Sequence, residues 1–264
     1  MDKIIMNKSG FTAGTLVHTN KGLVPIEQLK IGDKVLSKPA DGLGDLVYNP
    51  VLRTIVTENT PVFFATFTPE SVDDLPFEQL TNHDLYLDLI CSANHPFWVR
   101  GIGWKTAAEL GRGNTTVLEN NESAFFEGGS EEGGIEVVFK TDRNAVGFIP
   151  NFYDQSNNGR FIDLETGRTL YFGSYAPVFE KLFVKDSDWK QRLLEQTPVE
   201  LRDSAEFYNF RTGFWQDDAG IDWSENEGPV TTTVYNIEVA NTHTYFVGKQ
   251  GLWVYDSNLN IKPS

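Results

Sequence analysis

One short order of elements occurs twice in this chain, and any fold it adopts must seat both copies. The first copy is Gly10 to Leu36, GFTAGTLVHTNKGLVPIEQLKIGDKVL. Its residues predict a strand at Thr15 to Thr19, a tight turn at Asn20-Lys21-Gly22 and one helical turn opened by Pro25. A second turn at Gly32-Asp33 then leads into another strand. In GWKTAAELGRGNTTVL, the residues Gly103, Leu110, Gly113 and Asn114 repeat Gly22, Leu29, Gly32 and Asp33 at one offset, with Phe97-Trp98-Val99 in place of Leu16-Val17-His18. A strand-turn-strand unit of this size cannot bury its own apolar face, so it must pack against its copy. The expectation is an all-β fold with a pseudo-twofold arrangement.

Further strands are expected at Val51 to Thr57, Val62 to Phe67 and Tyr86 to Cys91, which are β-branched and aromatic runs bounded by turn residues. Thr106 and Glu109 have capping-box spacing for a short helix that Gly111 stops. From about Glu119 the composition changes: residues 119–230 hold 22 acidic against 10 basic side chains, most of the net charge of -15. This stretch reads as an α+β insert with a solvated acidic surface. Within it, Phe161 to Leu164 and Arg168 to Phe172 predict a hairpin around Glu165-Thr166-Gly167, and Ser187 to Gln196 a helix ended by Pro198. The β pattern returns at Val234, Ile237 and Val239, then Tyr245 and Val247, then Leu252 to Tyr255. The expected organisation is a leader at 1–9, a discontinuous β domain at 10–118 and 231–258, the insert at 119–230 and a tail at 259–264.

The charge balance argues against a nucleic-acid partner, because phosphate binding needs clustered Lys and Arg. No run reaches the roughly 18 apolar residues of a membrane helix, and MDKIIMNKSG lacks the apolar core of a secretory signal. The expectation is a cytoplasmic chain with no membrane partner. The single cysteine, Cys91, excludes an internal disulfide and a multi-cysteine zinc site; it is expected to be a buried strand residue. His18 is expected to be structural. Asp154, Ser156, Asn158 and Glu165, with Gly159 at the sixth position, match the spacing of a twelve-residue calcium loop. The flanking Pro150 and Gly167 do not favour the helices of an EF-hand, and Asn158-Gly159 is also a hairpin turn. No other cofactor is expected.

With these segments in hand, the chain resembles the Hint family, the shared fold of inteins, hedgehog autoprocessing domains and bacterial intein-like modules. Gly10 to Leu36 looks like the first splicing block, Ser92-Ala93-Asn94-His95-Pro96 like the TxxH block with Ser for Thr, Val234 to Val247 like the penultimate block, and Gly251 to Ser257 like the last. The resemblance implies a horseshoe-like pseudo-twofold fold and protein-splicing or self-cleavage chemistry, with the chain's own flanking peptides as intramolecular substrate. By resemblance, Gly10 stands at the position of the attacking Cys or Ser. His95 would act on the amide at the first junction, Ser92 would help hold it, and His243 matches an acid-base position in the penultimate block.

Three departures fall on the reacting positions. Gly10 carries no nucleophile. Ser9 lies one residue early and Thr12 two late, and Gly14-Thr15 hold the register against either. At the other end, the family's His-Asn followed by a nucleophile reads Tyr255-Asp256-Ser257 here. Asp lacks the amide nitrogen that cyclises, and Tyr cannot replace imidazole near neutral pH. Ser257 does stand where the acceptor nucleophile would. The resemblance therefore implies a degenerate module. The alternatives are residual self-cleavage at Asp256-Ser257 or near Ser9, and a non-catalytic scaffold whose acidic insert binds a basic protein.

Overall fold

A computed structural model describes residues 9–72, 75–76, 86–128, 133–140, 145–150, 159–165, 168–172 and 229–256. The chain divides into two compact units, Met1–Glu136 with Thr231–Ser264 and Val137–Val230. Both are built from strands, and the longest helical segments among the described residues are single 3-10 turns. No helix among the described residues is long and apolar enough to cross a membrane.

The first unit contains β1 (Leu16–Thr19), β2 (Gly22–Pro25), β3 (Lys34–Ser37), β4 (Val47–Pro61), β5 (Phe63–Pro69), β6 (Leu87–Cys91), β7 (Pro96–Val99), β8 (Gly103–Thr106), β9 (Thr115–Val117) and β10 (Ser123–Phe126). β11 (Glu136–Val137) lies at the junction of the units. The second unit contains β12 (Phe139–Lys140), β13 (Val146–Pro150), β14 (Gly159–Asp163) and β15 (Arg168–Phe172), and the chain returns to the first with β16 (Thr231–Val239), β17 (Thr244–Val247) and β18 (Leu252–Tyr255). In the first unit the strands run in the order β5-β10-β9-β7-β18-β17-β1-β3-β4-β16, with β2, β6 and β8 paired to β1, β5 and β7. The β17–β18 hairpin sits between the two copies: Val17 faces Val247 across one side and Phe97 faces Val254 across the other.

The duplication is visible in the backbone hydrogen bonds. Ile26 N–H donates to Thr15 O and Ala107 N–H to His95 O, while Gly32 with Asp33 pairs with Val51 as Gly113 with Asn114 pairs with Phe126. The 3-10 turns Ile26–Gln28 and Ala107–Glu109 occupy matching places. The register of the first strand, however, needs correcting. Thr19 pairs with Gly22 but Val99 pairs with Gly103, so the second copy's turn is one residue longer. Phe97 is therefore the mate of Val17 rather than of Leu16. A one-residue slip exchanges the faces of a strand, and both Val17 and Phe97 are fully buried, as this register requires. The same shift makes Thr15 the counterpart of His95.

The main core joins the two copies through Val17, Phe97, Val247 and Val254, with Phe67, Phe126 and Tyr245 packed around them. A second cluster on Trp253 contains Leu36, Val117 and Phe246, with Trp98 and Trp104 against it. Thr106 N–H donates to Glu109 Oε2 at 2.8 Å, the capping bond read from the sequence. Glu109→Ala is expected to cost about 1 kcal/mol in urea unfolding, the usual worth of such a cap.

The composition change at Glu119 precedes the structural boundary. β10 pairs with both β9 and β5, which keeps residues through Glu136 in the first unit. In the second unit β12-β13-β14-β15 form an antiparallel sheet, and the expected hairpin is present as β14 and β15, with Asp163 opposite Arg168. The helix expected at 187–196 lies outside the described residues.

Candidate autoprocessing site

Residues 10–12 cross the first unit as an extended segment between two strands. On one side Phe11 N–H donates to Tyr235 O at 2.9 Å and Tyr235 N–H to Phe11 O at 2.7 Å; on the other, Thr12 N–H donates to Ile90 O and Ser92 N–H to Gly10 O. This double pairing buries the Ser9-Gly10 peptide at the point where four segments meet.

Three polar side chains converge there. Gly10 N–H donates to Ser92 Oγ at 3.0 Å, and Asn236 Nδ2 donates to Ser9 O at 3.3 Å. Ser9 Oγ lies 3.0 Å from Nδ1 of His95 and 3.4 Å from Asn236 Nδ2. The orientation of the Asn236 amide is fixed by its other end, where Oδ1 accepts from Ile237 N–H and from the Tyr245 hydroxyl, both at 2.8 Å. Both groups at the Oδ1 end are donors, so the NH2 end must face Ser9.

His95 is fully buried, its ring 4.1 Å from that of Phe11 and flanked by Phe97 and Tyr245. Burial without a charged neighbour pushes its pKa down to about 3, so the ring is neutral at physiological pH. Its Nε2 is buried with no hydrogen-bond partner. Burial also raises the Tyr245 phenol well above its ordinary value, with Asp256 adding to the shift, so Tyr245 stays a neutral donor to Asn236.

At the C-terminal end of β18 Asp256 is fully buried. Its Oδ2 accepts from Val239 N–H at 2.9 Å and lies 3.1 Å from His243 Nδ1, while Asp256 N–H donates to His243 O. His243 has φ +56, a left-handed turn conformation that His adopts more readily than most residues. Tyr255 stacks on His243 and meets Trp104 edge-on. Burial, with Asp256 second, raises the Tyr255 phenol, so it stays protonated near pH 7.

The structure thus brings Ser92 and His95 together at the Gly10 end and His243, Tyr255 and Asp256 together at the other. Ser257 lies outside the described residues, as do Asp154, Ser156 and Asn158 of the calcium-loop spacing; Glu165 is an exposed turn residue between β14 and β15. Among the described residues no group of three or more His, Cys, Asp or Glu side chains is placed to hold a metal ion. Cys91 is a buried strand residue whose thiol burial pushes up to about 12. His18 is structural: Nε2 meets Gly248 O and Nδ1 meets Glu119 Oε2, both at 2.8 Å.

Two features escape a reading of the sequence. Asn236 and Tyr245 belong to the site, and the available signal was a polar residue inside the apolar run VYNIEV, which needs a buried partner. The Gly10 position is also closed rather than merely lacking a side chain: a Cβ there would stand 2.6 Å from the carbonyl oxygen of Tyr235.

No protein-family model matches the chain, and no curated protein sequence matches it. Among solved structures, it is similar to a bacterial intein-like domain from Clostridium thermocellum at 17% identity and a TM-score of 0.45, over 94% of this chain and 98% of the other. A DnaB intein from Synechocystis gives 10% identity and a TM-score of 0.42 over the same shares. A DnaB mini-intein variant gives 12% identity and a TM-score of 0.41, over 98% of this chain and 100% of the other.

Proposed function

We propose that the chain is an intein-like autoprocessing module of the Hint type in which the reacting groups at the family's nucleophile and cyclising positions are gone. The observation that carries this reading is the buried Ser9-Gly10 peptide, held at its carbonyl by Asn236 and at its N–H by Ser92, beside the neutral imidazole of His95. A linking peptide in an ordinary β fold has no need of three polar side chains gathered from two distant segments, the Ser92–His95 turn and β16. Their burial is costly unless each is paired, and the pairing is made around one peptide bond.

The C-terminal end supports the same reading. The Asp256 side chain occupies the place that the resemblance gives to the cyclising Asn, and His243 stands beside it. In an active site of this type, the Asn side-chain nitrogen attacks its own backbone carbonyl, a succinimide forms, and the following amine leaves with a proton. Asp256 has no such nitrogen, and Tyr255 offers no imidazole.

Intact mass spectrometry tests this. The full chain is expected to keep residues 257–264 over days at neutral pH. The variant Tyr255→His with Asp256→Asn is expected to release them on the order of 100-fold faster, the low end of what a positioned acid-base group supplies. Retention of those residues by a folded double variant would remove the basis for an autoprocessing origin.

A further inference from the structure

We propose that the open edge of β4 is a self-association surface, to which a second copy of this chain adds its own β4, antiparallel, about a two-fold axis at Ile55. The association involves none of the groups of the autoprocessing site.

Hydrogen bonds fix which side of β4 is open. On one side β3 pairs with Val47 to Pro50, and there Val51 N–H donates to Asp33 O and Gly32 N–H to Val51 O. Beyond Val51 no strand continues on that side among the described residues, while on the other side β16 runs on to Pro61. Tyr235 stands opposite Val56 but gives its own N–H and C=O to Phe11. Opposite residues of an antiparallel pair either exchange both bonds or turn both away. Val56 therefore points its N–H and C=O away from β16, and Thr54, two residues earlier in the same regular pairing, does likewise.

The residues on this edge suit a copy of themselves. Thr54-Ile55-Val56-Thr57 is an unbroken run of β-branched side chains, without the Lys or Pro that guards many sheet edges against pairing. Val56 is 58% exposed and Leu52 49%, and Ile31, next to the Gly32–Val51 bond, is 71% exposed. Pairing of β4 with β16 is regular only from Arg53 to Thr57, since the register shifts past Leu52 at one end and between Thr57 and Thr60 at the other. Ile55 is the centre of that regular stretch. Opposite charges bracket it: Arg53 meets Glu238 at 3.1 Å yet keeps a 59% exposed side chain, and Glu58 at the far end is exposed. An antiparallel second copy brings the Arg53 end of each strand to the Glu58 end of the other, whereas parallel pairing would set Arg53 against Arg53.

About this axis Thr54 pairs with the partner's Val56, and Val56 with the partner's Thr54, each pair exchanging both backbone hydrogen bonds. The two copies of Ile55 then face each other as a pair without hydrogen bonds, their Cα atoms about 4.5 Å apart. The same patch serves on both sides, so the contact closes at two copies and does not propagate. So short an edge buries less surface than an obligate dimer does, and the association is expected to be reversible and concentration-dependent.

The experiment is sedimentation equilibrium of the full chain over a concentration series reaching about 1 mM, with Val56→Lys alongside. A reversible monomer–dimer equilibrium is expected for wild type, and Val56→Lys should raise its dissociation constant at least about tenfold by placing a charge on the edge. Val56 is exposed, so the variant keeps its fold, which near-ultraviolet circular dichroism checks. The register is read with single cysteines under mild oxidation, the native Cys91 being buried. Ile55→Cys should give a disulfide-linked dimer. Thr54→Cys, whose counterpart lies diagonally across the axis at about 7 Å, should link at least about tenfold more slowly. A wild type that stays monomeric throughout the series overturns the proposal. So does a dimer that Val56→Lys leaves intact, since its contact then lies elsewhere, and so does equal linking of the two cysteine variants, since the strands then do not pair about Ile55.

Discussion

Gly10→Ala is expected to destabilise the first unit by about 3 kcal/mol, and Gly10→Cys by at least as much. A Cβ at 2.6 Å from the Tyr235 oxygen is closer than such atoms approach one another, so either the segment or β16 must move. Overpacking against a fixed wall costs about 1 to 3 kcal/mol. The movement also opens the reciprocal Phe11–Tyr235 hydrogen bonds, each worth about 1 kcal/mol. Urea unfolding midpoints measure the loss, with Gly111→Ala as the control. Gly111 has nothing within 4 Å of its Cβ position and no left-handed φ, so its variant should stay within about 0.5 kcal/mol of wild type. Equal effects at the two glycines would mean that Tyr235 does not close the Gly10 position. The consequence for chemistry follows directly: installing a cysteine at residue 10 should yield a damaged fold and not an active junction.

The parts of this molecule that the sequence made legible are those governed by local rules. Gly22 and Gly103 both have positive φ in their turns, Leu29 and Leu110 both close a 3-10 turn into the core, and these spacings revealed the duplication before any contact was known. The one-residue difference between the first turns was not legible, because Phe97 and Trp98 are both apolar and only burial shows which of them faces the core. β10 was hidden for another reason. Its residues Ser123–Phe126 lie inside an acidic, glycine-rich stretch, and what makes them a strand is pairing with β5, nearly sixty residues earlier in the chain. At the site, His95 and Ser92 could be found by their block, whereas Asn236 and Tyr245 act through contacts with Ser9 and with each other across β16 and β17. Which residue before the first strand turns its side chain inward is likewise a property of the assembled sheet.

The stability of the fold should fall in acid because of His95. Its folded pKa of about 3 lies below the ordinary 6.5, so between these values the unfolded chain holds a proton that the folded chain does not. Stability therefore rises with pH across that window and is lost as pH drops from about 6.5 toward 3. The whole effect is on the order of 4 to 5 kcal/mol, and about half of it is lost by roughly pH 4.5. Carboxylates also titrate in this range, so the test compares wild type with His95→Gln, which can still hydrogen-bond Ser9 but carries no titrating ring. The variant should be less stable at pH 7, since it packs less well among Phe11, Phe97 and Tyr245, yet between pH 7 and 4.5 it should lose about 2 to 3 kcal/mol less than wild type. Parallel losses in the two proteins would show that the ring is not held neutral. The orphaned Nε2 makes the expectation sharper: the ionised ring would carry an N–H there with no acceptor, inside an apolar pocket.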